Sequence, residues 1–329
     1  MIGSAAVREY IFRGLMGAAT IRLARLRALR LSLVGLCVFS AVSGVSSTER
    51  APAPAAAAHP PALNHVYVVL DAATYAAMRD SRALLEPLGR PDGGLPDYAP
   101  PRPDADRIFF RGRQTYLEFF APDNRFKEPV GKVGLALGHD DADDFDTLET
   151  VWARTCGEQK RRTRVEWRRT RPPVPWYDAL QCDGTAGGSN LAVWAMAYRP
   201  EFLRWQSGTT SDPSSRTARA DVLAPRLQAG QGRFDVTGVA IDVSPSLHAK
   251  LVAQLEQAGF AREDTSTGTR LRGDDWDLVL RAVDQPAGIV SISLDADPPL
   301  MEPLPLGSAH LAQHPAGGMQ LRFAVQAED

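Results

Sequence analysis

Three times along this chain a short strand pattern leads through a capping residue into a helical stripe and then into further strands. That repetition limits the possible fold more than any other feature of the sequence. The first unit opens with LNHVYVVLD at Leu63, an alternating and β-branched run that reads as a strand. Asp71 stands where an N-cap belongs, and Tyr75, Met78, Arg82 and Leu85 follow at helical spacing. A Gly/Pro-rich loop with room for one irregular strand comes next, followed by RIFFRG and TYLEFFAP, the latter stopped by Pro122. The second unit repeats the order. VGKVGLALG is its first strand, Asp140 and Asp141 occupy the cap, and Phe145, Leu148, Val151 and Trp152 form the stripe. RTRVEWRRT and LAVWAMAYRP supply its strands, with Pro200 at the end. In the third unit FDVTGVAIDV leads to Ser244-Pro245, a cap followed by proline at the first helical position. Leu247, Leu251, Leu255 and Ala258 form the stripe and Gly259 ends it. RLRG, DLVLRAV and GIVSISLDA are expected to finish this unit, and MQLRFAV to close the chain. The fold class is therefore α+β, built from repeated β-α-β-β-β units.

What precedes Leu63 reads as processing signal. Arg22, Arg25, Arg27 and Arg30 lie directly before the apolar run LSLVGLCVFSAVSGV, with small residues at Ala41, Ser43 and Gly44. A basic segment, a short apolar segment and small residues make a secretory signal peptide over 1–47, with Met16 as an alternative start. The run is shorter than the roughly 20 residues a spanning helix needs. Cys37 follows Leu36 rather than a small residue, which argues against lipidation. Residues 48–62 are an Ala/Pro tether, 63–205 hold the first two units, 206–232 form a polar linker, and 233–329 carry the third unit and last strand. The expected location is periplasmic or secreted, with no stable membrane insertion once the leader is removed.

Removing residues 1–47 deletes six arginines and Glu9, taking the formal charge from −2 to about −7. An acidic product argues against a nucleic-acid partner, since such binding rests on neutralising phosphates. The basic cluster Lys160 to Arg164, with Arg168 and Arg169, is expected to be the solvated face of a strand pair. The run His139 to Asp144 is expected to complement a helix N-terminus rather than hold a metal. After the leader is lost, Cys156 and Cys182 remain, an even pair in an oxidising compartment. A bridge between them is expected to contribute about 3 kcal/mol. No Cys/His metal spacing, phosphate loop, Gly-x-Ser-x-Gly elbow or His-Glu-x-x-His motif occurs.

The repeated units, with LNHVYVVLD early and YLEFF later, resemble the glyoxalase/bleomycin-resistance (vicinal oxygen chelate) superfamily. The similarity is strongest to a glyoxalase-like group of exported bacterial proteins. It covers residues 63–200, and 233–297 more loosely. It implies that two units pair into one curled, cup-shaped sheet, with a third similar unit beside it. It also implies a metal held by a first-strand residue and a last-strand Glu of each unit. In the first unit those positions hold His65 and Glu118, 53 residues apart; in the second they hold Lys132 and Met196. An ammonium and a thioether are poor partners for a hard divalent cation, so a divalent metal is possible but its ligand set is incomplete. Tyr67, Tyr116, Trp194 and Tyr198 complete the expected wall. Lys132 is expected to take the metal's place beside Glu118. Three functions stay open at this point: a binder of a small organic molecule, with Glu118 as a base if chemistry occurs; a metal-dependent lyase, isomerase or dioxygenase; or an interaction module of the envelope. Whether the protein is an enzyme, and its oligomeric state, are left open.

Overall fold

The computed structural model describes residues 59–182, 190–208, 216–286, 288–298, 300 and 302–324. The expected leader and residues 48–58 of the tether lie outside the described residues. The first unit comprises β1 (Ala62–Val69), α1 (Ala72–Asp80), β2 (Arg107–Arg111) and β3 (Tyr116–Phe120). Its irregular strand is reduced to one bridge, Asp92 to Phe109. The second comprises β4 (Val133–His139), α2 (Ala142–Cys156), β5 (Lys160–Trp167), β6 (Val174–Cys182) and β7 (Leu191–Tyr198). All seven strands form one sheet in the order β2-β3-β1-β4-β7-β6-β5. Each unit sets its first strand parallel to its last, β1 on β3 and β4 on β7, and the two first strands meet antiparallel at the centre. This is the paired sheet expected. β6 is absent from the sequence reading because Pro175, Asp178 and Gln181 interrupt its apolar pattern.

The stretch read as linker, 206–232, is partly built into the fold. α3 (Pro200–Ser207) and the short α4 (Arg219–Leu223) fold back over the β5–β7 half of the sheet, packing Phe202 and Val222 against Trp167, Tyr177, Met196 and Tyr198. Arg219 is 4 % exposed, and its guanidinium meets Asp140 at 3.2 Å, Asp275 at 3.2 Å and the Leu63 carbonyl. A single cation thus ties the insert to both halves of the molecule. The polar composition concealed this, because the buried polar side chains are satisfied by partners remote in sequence.

The second sheet runs β13-β14-β15-β12-β8-β11-β10-β9. The third unit is β8 (Phe234–Val243), α5 (Pro245–Gln257), β9 (Ala261–Thr265), β10 (Gly268–Arg272) and β11 (Asp277–Ala282), with β11 parallel to β8. GIVSISLDA therefore does not close this unit. It is β12 (Gly288–Ala296), which opens a further set with β13 (Leu304–Leu306), β14 (Ala309–Gln313) and β15 (Met319–Phe323). Among the described residues no helix follows β12, which lies antiparallel to both β8 and β15. β9, AREDT, escaped notice because all five residues are exposed and carry no apolar alternation.

The three expected caps form. Asp71, Asp141 and Ser244 accept from the backbone N–H of Thr74, Asp143 and Leu247. One apolar core runs from Leu63 and Phe110 through Trp152 to Leu251 and Leu321, joining both sheets through the helices between them. The β2–β3 turn seals the junction: Asp235 accepts from the N–H groups of Gln114 and Thr115 at 2.8 and 2.9 Å. Gly112 is required there, since a Cβ would lie 2.3 Å from the Phe234 carbonyl oxygen. The Cys156–Cys182 disulfide ties the end of α2 to the end of β6, with Cα atoms 5.6 Å apart. Among the described residues no helix is long and apolar enough to cross a membrane.

Candidate functional site

Strand register decides what the inner face of the first sheet presents. Arg111, Tyr116, His65, Ala136, Trp194 and Gln181 lie in one row across six strands. Phe109, Glu118, Tyr67, Gly134 and Ala192 form the next row. Side chains alternate faces along a strand, so these rows look the same way and away from the leucine-rich core. His65, Tyr67, Tyr116, Glu118 and Trp194 are accordingly gathered on one wall, as expected. Met196 and Tyr198 lie farther along β7, buried under α3.

His65 stacks on Tyr116 with ring centres 4.4 Å apart and planes at 15°, and meets the edge of Trp194 at 5.4 Å. Its Nδ1 donates to Asn64 Oδ1 at 2.9 Å, which in the neutral ring leaves the lone pair on Nε2. The far side of Tyr116 is covered by the Arg111 guanidinium, 4.5 Å from the ring centre. Arg111 is itself held by Asp92 at 3.0 and 3.2 Å and faces the rings of Tyr98 and Phe109. Burial pushes the Tyr116 hydroxyl well above its usual range, so it serves as a neutral group. Tyr67 lies across Gly134, where a Cβ would come 1.9 Å from the ring; only glycine lets the phenol lie flat there.

Glu118 is 1 % exposed, between Phe109 and Tyr67 in its row. Arg107 Nη1 donates to Glu118 Oε1 at 3.2 Å, and its guanidinium also faces the Phe109 ring at 5.1 Å. Arg107 is the residue that sequence reasoning missed. The signal was present: folding RIFFRG onto TYLEFFAP as a hairpin sets Phe109 opposite Glu118, with Arg107 one step along the same face.

One position needs correction. Tyr116 pairs with His65, and its counterpart Trp194 pairs with Ala136. Ala136, not Lys132, is thus the second-unit match of His65. Lys132 precedes β4, its carbonyl accepting from Val69 N–H at 2.9 Å, and burial lowers its pKa against the opposing pull of Glu128. Trp194 matching Tyr116 keeps Met196 as the match of Glu118. With a methyl and a thioether in the second unit, the donor set stops at His65 and Glu118. Among the described residues no three His, Cys, Asp or Glu side chains gather to hold a metal ion. These residues do not fit a divalent cation.

The other two motifs follow their ordinary roles. Lys160 pairs with Glu149, while Arg162 and Arg164 both reach Asp178. Asp141 caps α2, and Asp143 and Asp144 lie in its first turn.

Among solved structures, a hypothetical protein from Staphylococcus aureus is similar over 78% of this chain and 96% of its own, at 11% identity and TM-score 0.42. An extradiol ring-cleaving dioxygenase from B. fuscum is similar over 84% and 76%, at 13% identity and TM-score 0.39. BphC, a halotolerant catechol dioxygenase, is similar over 82% and 89%, at 13% identity and TM-score 0.40. Likenesses this weak carry no argument about activity. No curated protein matches at a significant level. The model of one family, described as a family of unknown function (DUF5829), matches residues 63–295, and the chain belongs to that family.

Proposed function

We propose that the protein is an exported binder of a small planar organic molecule, held on the inner wall of the first sheet above Glu118. The observation that carries this reading is the Arg107–Glu118 pair, an ion pair with a carboxylate 1 % exposed among aromatic rings. Two charges in such a place add little net stability, because desolvation offsets their attraction, and apolar residues of the same size would serve the fold as well. A carboxylate acceptor beside a guanidinium donor and flat rings is suited to a ligand with hydroxyl or amine groups on a ring. His65 adds an imidazole and Trp194, half-buried, a further flat face. Export is supported by the Arg-rich segment and apolar run ahead of the fold, and by the disulfide.

Saturation-transfer NMR of the purified protein against hydroxylated and amino-substituted aromatic compounds tests this. Binding by members of the set, weakened at least tenfold in Glu118→Gln, is expected. Binding that Glu118→Gln leaves untouched, or none in the whole set, would overturn the reading.

A further inference from the structure

β1 is irregular just where His65 enters the cup. Leu63 and Val66, three residues apart, both join the leucine-rich core, which strict alternation forbids. Leu63 pairs with Leu137 on β4, and His65 pairs with the adjacent Ala136, so Asn64 is one residue too many on β1. This bulge sets the Asn64 and His65 side chains next to each other instead of on opposite faces. β1 is a central strand, between β3 and β4, so the extra residue interrupts the ladder inside the sheet rather than at an edge.

The bulged residue is polar and 2 % exposed. Its amide oxygen accepts from His65 Nδ1 at 2.9 Å and from the Tyr198 hydroxyl at 3.5 Å. Gly138 on β4 leaves space for it, since a Cβ there would lie 3.2 Å from that of Asn64. A buried amide is costly unless it is bonded, and these bonds run to side chains on the inner face of the sheet. An apolar residue would serve the core as well.

We propose that Asn64 is a positioning residue: it holds His65 in the Nδ1–H tautomer, so that the cup presents a second hydrogen-bond acceptor beside Glu118. Nδ1 adjoins the stem of the side chain and Nε2 lies at the tip of the ring, so the nitrogen that reaches farthest into the cup carries the lone pair. The ring is kept from turning by the stack on Tyr116 and the edge of Trp194. Tyr116 opposes His65 across the β1–β3 pair, and Glu118 is two residues farther along β3 on the same face. The ligand that fits two such acceptors carries two donor hydroxyls on its ring, and an ether in place of one of them leaves a buried acceptor without its proton. This deepens the binding reading above and rests on it.

The test has two arms. The first needs no ligand: two-bond ¹H–¹⁵N spectra of the ¹⁵N-histidine-labelled protein at about pH 9, where the imidazole is neutral, with His65 assigned by its loss in His65→Gln. The parent should show the Nδ1–H form. Asn64→Leu should shift His65 toward the Nε2–H form, and Asn64→Asp, which keeps the acceptor, should restore the parent pattern. An Nε2–H parent, or a tautomer unmoved in Asn64→Leu, would overturn the role of Asn64. The second arm is binding of resorcinol, 3-methoxyphenol and 1,3-dimethoxybenzene. The parent should favour resorcinol over 3-methoxyphenol at least tenfold, and Asn64→Leu should cut that preference to less than about threefold. Equal binding of the first two by the parent would overturn the second hydroxyl. Binding of none of the three would overturn the binding reading and the second hydroxyl together, while the tautomer arm still decides the role of Asn64.

Discussion

Acid titration of the ligand-free protein probes His139 directly. Burial pulls its imidazole down from 6.5 to about 4; Arg219 acts in the same direction, and Asp140 opposes both. Such a gap is worth about 3 kcal/mol when fully expressed, to order of magnitude. The folded value is the depressed one, so between pH 6.5 and 4 the unfolded chain binds a proton that the folded chain refuses. The stability due to the neutral ring is complete above pH 6.5, declines as the pH falls through the window, and is gone below about 4. Replacing His139 by Leu removes this proton while leaving Asp140 and Arg219 in place. Urea unfolding of parent and variant at pH 7, 6, 5 and 4, followed by tryptophan fluorescence, isolates the ring as a difference. The variant should gain on the parent by about 3 kcal/mol between pH 7 and pH 4, whatever its offset at pH 7. Parallel profiles would show that the ring titrates as it does in water and would refute the reasoning.

Gly134→Ala should destabilise by about 1–3 kcal/mol, since its methyl has no room beneath Tyr67; an unchanged urea midpoint contradicts it. Arg219→Ala takes the buried guanidinium from Asp140, Asp275 and the Leu63 carbonyl and opens the junction between the insert and both sheets. A loss of about 3–5 kcal/mol is expected, and a loss under about 1 kcal/mol would place those contacts at the solvated surface. The Cys156→Ser and Cys182→Ser double variant should lose about 3 kcal/mol, and thiol titration of the unfolded, unreduced mature protein, from which Cys37 has left with the leader, should find no reactive sulfhydryl. N-terminal mass spectrometry of exported protein should find a start within residues 44–48; intact residues 16–40 on a cytoplasmic form would contradict that.

Much of this fold was legible because its signals are local. The three caps and their stripes need only neighbours a few residues away, and the strand patterns at β1, β3, β4 and β8 follow from alternation. The elements that escaped depend on remote partners. β9 shows no buried face, β6 is broken by polar residues that pair across the sheet, and Arg219 is buried only because Asp140 and Asp275 meet it. The same division runs through the site. The resemblance pointed to His65 and Glu118, and side-chain parity added Tyr67, Tyr116 and Trp194 to the same wall. Lys132 was misplaced because the run VGKVGLALG begins at Val130, ahead of the strand itself at Val133, so counting from its first residue falls four short of Ala136. His139 read as part of an acidic run, and its burial against Phe145 shows only once β4 is packed beside α2.

The central claim is that the Arg107–Glu118 pair serves binding rather than folding, and replacing both residues tests it most directly. The Arg107→Met and Glu118→Leu double variant removes both charges and keeps the volume, so neither partner is left stranded. If the pair is a binding device, this variant should be as stable to urea as the parent or up to about 4 kcal/mol more stable, while losing the ligands that the parent binds. A double variant that unfolds several kcal/mol earlier, or one that still binds those ligands, would make the pair a structural fixture and contradict the account.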